Sequence, residues 1–109
     1  MLLATQHNAR LHLLASFAVF FGGLLLEISR FEWIAVVLAI GLVASAEALN
    51  TAVERLGDAI TRDKNPLIRD AKDVAAAGVL LASVAALFVA VFVFTPRLFT
   101  LFVAWGGAA

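Results

Sequence analysis

The stretch AEALNTAVERLGD, Ala46 to Asp58, decides how this chain is read, because here an apolar run acquires Glu47, Asn50, Thr51, Glu54 and Asp58 in quick succession. At about 100° per residue, Glu54 and Asp58 fall about 20° to either side of Glu47, and Asn50 and Thr51 lie about 60° and 40° away. All five share one helical face. Carboxylates entering a membrane are costly and tend to point into a bundle or a water-filled site, so this face is a functional candidate.

Working outward, the surroundings are lipid-like. Of 109 residues, 63% are apolar and the mean hydropathy is +1.01, against roughly 45–50% apolar in a soluble domain. Leu11 to Leu26 is apolar but for His12 and Ser16, Trp33 to Ala46 carries no charge, and Val74 to Phe94 has Ser83 as its one polar side chain. Runs of about 20 apolar residues cross a hydrocarbon core of about 30 Å. The expected fold is therefore an all-α membrane protein, one domain over residues 1–109. Its three transmembrane helices should lie at about 9–28, 33–60 and 66–95.

The punctuation fits that plan. A short polar turn, Ser29 to Glu32, should join the first two helices into a hairpin, with Trp33 at the interface. Asn65-Pro66 reads as an N-cap followed by proline at the first helical position. Pro96 marks the end of the third helix, and Ala75 to Gly78 lets another backbone come close. The net charge of zero, without a clustered basic excess, argues against nucleic acid. No cysteine is present, so disulfide and thiolate chemistry are excluded. The N-terminus has no signal-peptide pattern.

A length argument locates the polar face. A second helix reaching Ile60 is about 42 Å long, more than the membrane core, so its end stands in water. Measured from Trp33, Glu47 lies about 21 Å along and Glu54 about 31 Å, just inside and just outside the opposite interface. Arg10, Arg55, Arg62, Lys64, Arg69 and Lys72 fall on that side, and only Arg30 and Arg97 on the other. The N-terminus and the second loop are thus expected in the cytoplasm.

Glu47 and Glu54 are about 10 Å apart axially, too far to hold one ion together, so they would have separate roles. The outer carboxylate can hold Mg²⁺ while nucleotide phosphates complete the shell, and the deeper one can accept a proton from a hydroxyl. Lys72 would neutralise phosphate charge, a division of labour suited to phosphoryl transfer. Arg55, Arg62 and Arg69 read as interfacial anchors. His7 and His12 read as interfacial hydrogen-bonders, since their spacing does not give one helical face.

The sequence EALNTAVE at Glu47 to Glu54, Asp58, AKDVAAAGVL at Ala71 to Leu80, and TQHNARLHL at Thr5 to Leu13 together resemble the small integral-membrane diacylglycerol kinase and undecaprenol kinase family. The resemblance implies a homotrimer in the bacterial inner membrane, with active sites shared between subunits. It implies ATP-dependent phosphorylation of a membrane lipid alcohol with Mg²⁺. Carried over by position, it implies Glu47 as general base and Glu54 as metal ligand. Lys72 and Asp73 would bind nucleotide, with Asp63, Lys64 and Asn65 bordering the adenine. Asn50 would hold the carboxylates in register, with Asp58 as a further supporting acid. Asn8 and Arg10 would contact the lipid headgroup.

Gln6 stands where many members carry a second metal-binding glutamate; its amide oxygen can ligate without adding charge. The family's N-terminal amphipathic surface helix is expected to be missing here. Ala76 favours undecaprenol over diacylglycerol as acceptor, since the diacylglycerol branch tends to carry serine at the matching position. Two other readings stand beside the kinase. They are a small proton-coupled exporter built on Glu47, which would need an acid near the midplane, and a non-catalytic assembly subunit.

Overall fold

The computed structural model of the chain describes the backbone of residues 2–108 and the side chains of residues 10–106. The side chains of Gln6 and Asn8 lie outside the described residues. The chain is all-helical: α1 (Leu2–Leu25), α2 (Arg30–Ile60) and α3 (Pro66–Ala108). Its extents are 64 × 23 × 21 Å, and the long axis matches the length of α3, about 64 Å at 1.5 Å per residue.

Each helix ends for a local reason. At the close of α1, Glu27 adopts φ 52°, Ile28 N–H donates to Gly23 O at 3.2 Å and Glu27 N–H to Leu24 O at 3.4 Å. These are the two bonds of a Schellman cap, here with glutamate in the left-handed position usually given to glycine. The cap turns Ile28 inward, where it is buried with Val36 and Val93 in the core.

Ser29 then opens α2 with a capping box. Its hydroxyl accepts from Glu32 N–H at 3.2 Å, and Glu32 Oε1 accepts from Ser29 N–H at 2.9 Å. This starts α2 at Arg30 rather than at Trp33, the S-x-x-E spacing outweighing the apolar boundary. Trp33 is half-buried, and its ring packs on Phe20 with centroids 5.4 Å apart. Gly23 makes room for it, since a Cβ there would lie 2.7 Å from the indole.

The start of α3 follows the Asn65-Pro66 expectation. Asn65 Oδ1 accepts from Leu67 N–H at 3.0 Å and Ile68 N–H at 3.3 Å, and Pro66 is the first helical residue. Its end is a correction: the helix does not stop at Pro96 but runs through it to Ala108. Proline removes one ladder bond, but neighbouring groups hold the turn. Arg97 donates to Glu27 O at 3.2 Å and to the Glu32 carboxylate, and Thr100 Oγ1 donates to Pro96 O at 2.9 Å.

α2 and α3 pack as an antiparallel hairpin, tied at one end by Arg97–Glu32 and at the other by Lys72–Asp58. Few side chains are buried: among the described residues the buried hydrophobics are Ile28, Val36, Ala82 and Val93, while residues such as Leu25, Phe31, Phe92 and Phe102 stand open. The accessible surface is 8355 Å², against roughly 5,800 Å² for a folded soluble monomer of this mass. That is the surface of a protein solvated by lipid or by further subunits. α2 and residues Pro66–Gly106 of α3 are long and apolar enough to cross a membrane. The described apolar part of α1, Arg10–Leu25, covers about 24 Å.

Candidate functional site

On α2 the polar face turns inward and the apolar face outward. Glu47, Asn50, Thr51, Glu54 and Asp58 are all half-buried, whereas Leu49, Leu56 and Ile60 are exposed. A helix in water shows the opposite pattern. The inversion places the carboxylates against α1 and α3 and leaves leucine to meet apolar surroundings. Asn50 Oδ1 is sealed from solvent and has no hydrogen-bond partner among the described residues. Such a buried acceptor calls for a donor.

Glu47 stands at the polar end of a crevice of about 650 Å³ bounded by all three helices. The walls are mostly small or branched apolar residues, among them Val36, Ile40, Ala86, Val89 and Ala90, with Phe94 at the far end. The polar lining consists of His12 and Ser16 from α1, Glu47 from α2 and Ser83 from α3. His12 Nδ1 lies 3.2 Å from Glu47 Oε1, within ion-pair distance but not aligned as a hydrogen bond. In sequence His12 reads as an interfacial hydrogen-bonder, with nothing to tie it to Glu47. A signal was there all the same, since His12 and Ser16 are the only breaks in an apolar run and sit four residues apart on one helical face.

Toward the α2–α3 loop the site is more open. Lys72 Nζ donates to Asp58 Oδ1 at 2.7 Å, across the gap left by Gly57, where a Cβ would lie 2.8 Å from Ile68 and 3.0 Å from Lys72. By the length count from Trp33, this end of α2 falls beyond a hydrocarbon core of about 30 Å. The hydrogen bond from Lys72 holds the Asp58 carboxyl below its ordinary value, and the charges of Lys72 and Arg62 add to the effect. Glu54, one turn deeper, is half-buried and has no ion-pair partner among the described residues.

The remaining candidates are not all brought together. Asp73 and Ala76 are exposed on α3, Asp73 about 100° round the helix from Lys72 and Ala76 nearly two turns before Ser83 on much the same face. Within one chain Ala76 does not line the crevice; Ser83 is the α3 hydroxyl that does. Asp63 and Lys64 are exposed in the loop, and Asn65 commits its side-chain oxygen to the α3 cap. Arg10 is exposed on α1. No group of three or more acidic, histidine or cysteine side chains forms a metal cage among the described residues. A carboxylate such as that of Glu54 is the kind of oxygen donor that a hard cation takes while keeping waters in its shell.

Residues 1–94 match the family described as Prokaryotic diacylglycerol kinase. An Undecaprenol kinase from Bacillus subtilis (strain 168) is 39% identical over 94 residues, 86% of this chain and 76% of that protein. A Diacylglycerol kinase from Synechocystis sp. is 37% identical over 101 residues, 92% of this chain but 58% of its own length. No solved structure matches the chain. The family match carries the acidic face of α2, the crevice and the Lys72 end of α3 together, and so this chain belongs to the prokaryotic diacylglycerol kinase family and is a lipid kinase.

Proposed function

We infer that the chain transfers the γ-phosphoryl group of ATP to the hydroxyl of a membrane lipid alcohol, with undecaprenol as the acceptor class. The observation that carries this is the placement of Glu47, the one carboxylate in a largely apolar crevice bounded by all three helices. A long hydrocarbon chain with a single terminal hydroxyl suits such a space better than a substrate with several polar groups. The relatives named for undecaprenol and for diacylglycerol are nearly equal in identity, so the crevice rather than the likeness supports the choice.

In the reaction the lipid oxygen attacks the γ-phosphorus while Glu47 accepts the hydroxyl proton. The bond from the γ-phosphorus to the bridging oxygen breaks, and ADP leaves with that oxygen. Glu54, together with Gln6, would hold Mg²⁺, which when bound offsets phosphate charge. Lys72 faces Glu54's end of α2 and supplies a further cation, with Asp58 fixing its position. The buried, unpartnered Asn50 oxygen lies between the two glutamates on the same face and would accept from a partner in the assembled site. Asp73, Asp63 and Lys64, open on the surface, would complete the nucleotide side from an adjacent subunit. Asn8 and Arg10 would meet the headgroup.

A homotrimer with three spanning helices per subunit accounts for the large apolar surface and for the exposed small residues Ala76, Ala77 and Gly78. The excess of basic residues on the Glu54 side supports a cytoplasmic position for that side and the N-terminus in a bacterial inner membrane. The test is transfer of labelled γ-phosphate from ATP to undecaprenol and to diacylglycerol in Mg²⁺. Glu47→Gln should lower kcat by about 10²–10⁴-fold while nucleotide still binds. Glu54→Gln should raise the Mg²⁺ requirement. Absence of transfer to either lipid by folded, assembled protein would refute the assignment.

A further inference from the structure

His12 is a titratable group that the reaction above leaves idle. Its Nδ1 is sealed from solvent, makes no hydrogen bond, and lies 3.2 Å from Glu47 Oε1. The other groups facing it have been accounted for. α2 contributes Glu47; α3 contributes no titratable side chain to the crevice, only Ser83. On α1, the Ser16 hydroxyl is turned to the His12 backbone carbonyl at 2.8 Å. Among the described residues, His12 is the one ionisable side chain within ion-pair distance of Glu47.

Phosphoryl transfer leaves the lipid's proton on Glu47. Glu47 sits at the edge of a largely apolar crevice with about a quarter of its side chain exposed, and the base cannot act again until that proton is gone. Imidazole can accept a proton on one nitrogen while giving one up from the other. We propose that His12 is the proton outlet of Glu47. The Glu47 Oε1–H bond breaks, the proton passes to Nδ1 of neutral imidazole, and the proton on Nε2 leaves to water. The ring then turns about its Cβ–Cγ bond, Nδ1 gives its proton to water while Nε2 takes one back, and the return turn restores the starting tautomer. The net result is one proton moved from the lipid hydroxyl to bulk water, with no other reactant. His12 acts through Glu47 and is therefore a positioning residue, and its role rests on Glu47 being the base.

The experiment compares wild type, Glu47→Gln, His12→Ala and His12→Gln in the labelled-phosphate assay, with and without added imidazole, after circular dichroism has shown each to be folded. Both His12 variants should lose about 10²-fold in kcat with the KM for ATP unchanged. Imidazole should restore His12→Ala at least tenfold, by an amount that grows with the concentration of its neutral form, and should leave His12→Gln, whose side chain fills the space, unrestored. Should His12→Ala fail to fold, His12→Gln alone decides through kcat against KM. A His12→Gln enzyme within twofold of wild type, or a His12→Ala loss indifferent to imidazole, would overturn the proposal while Glu47→Gln remains inactive. A fully active Glu47→Gln would remove the base assignment and the outlet with it.

Discussion

Gly57 is where α2 and α3 come closest at the loop end, and replacing it with alanine is a direct test of the hairpin. The added Cβ would lie 2.8 Å from Ile68 Cγ2 and 3.0 Å from Lys72 Cε, about 1 Å inside ordinary carbon contact. Ile68 is β-branched and stiff in a helix, so the first turn of α3 must retreat rather than the side chain swing away. Overpacking of this kind costs about 1–3 kcal/mol, while alanine gains about 0.5–1 kcal/mol over glycine in a helix interior. The net expectation is a loss of up to about 2.5 kcal/mol. Gly41, whose Cβ would meet nothing within 4 Å, should show only the gain. Reversible unfolding in mixed detergent and SDS micelles, followed by circular dichroism, measures both. In an Ile68→Ala background the Gly57→Ala penalty should shrink, because the nearer collision is gone. A Gly57→Ala protein as stable as Gly41→Ala would refute the close approach.

Glu27→Gly should stabilise the protein by about 1 kcal/mol, since glycine adopts the left-handed backbone without the Cβ penalty and the Arg97 bond goes to the main chain; the same unfolding assay reads it. Arg97→Met removes the contacts to Glu27 and Glu32 and should cost roughly 1 kcal/mol while leaving kcat intact, because it lies at the opposite end of the hairpin from Glu54. A parallel phosphate-transfer measurement would expose any coupling. Because the Asp58 carboxyl sits below its ordinary value, its contribution is complete above the usual carboxylate range and is lost as pH falls through the lowered value. Stability against pH should therefore show an acid step that Asp58→Asn abolishes.

Much of the fold was legible because its signals are local. Hydropathy marked three spanning helices, of which α2 and α3 are long and apolar enough to cross a membrane, and Asn65-Pro66 announced the start of α3 through a side-chain cap and a fixed φ. The shared face of Glu47, Asn50, Thr51, Glu54 and Asp58 followed from helical period alone, and the structure turns all five inward. What the sequence left unread was decided by tertiary contact. Pro96 reads as a stop until Arg97 is seen bonded to the α1–α2 turn, some seventy positions away in sequence. His12 reads as an interfacial hydrogen-bonder until α1 folds back and lays it beside Glu47. Lys72 and Asp73 look like a pair in sequence, but a rotation of about 100° separates neighbours on a helix, and Lys72 goes to Asp58 while Asp73 faces out.

The two clamps of the hairpin also act as a ruler. Glu32 and Asp58 are about 39 Å apart along α2, and Arg97 and Lys72 about 38 Å apart along α3, so both pairs close in the same alignment of the two helices. Sliding α3 by a single turn, about 5.4 Å, would open both at once, leaving no partly satisfied neighbouring register in which to linger. The level of Glu47 relative to the loop is thereby set by the hairpin, whatever lipid lies beside it. Acceptors of different chain length would meet the same gap between hydroxyl and phosphate, with the surplus chain left to the bilayer.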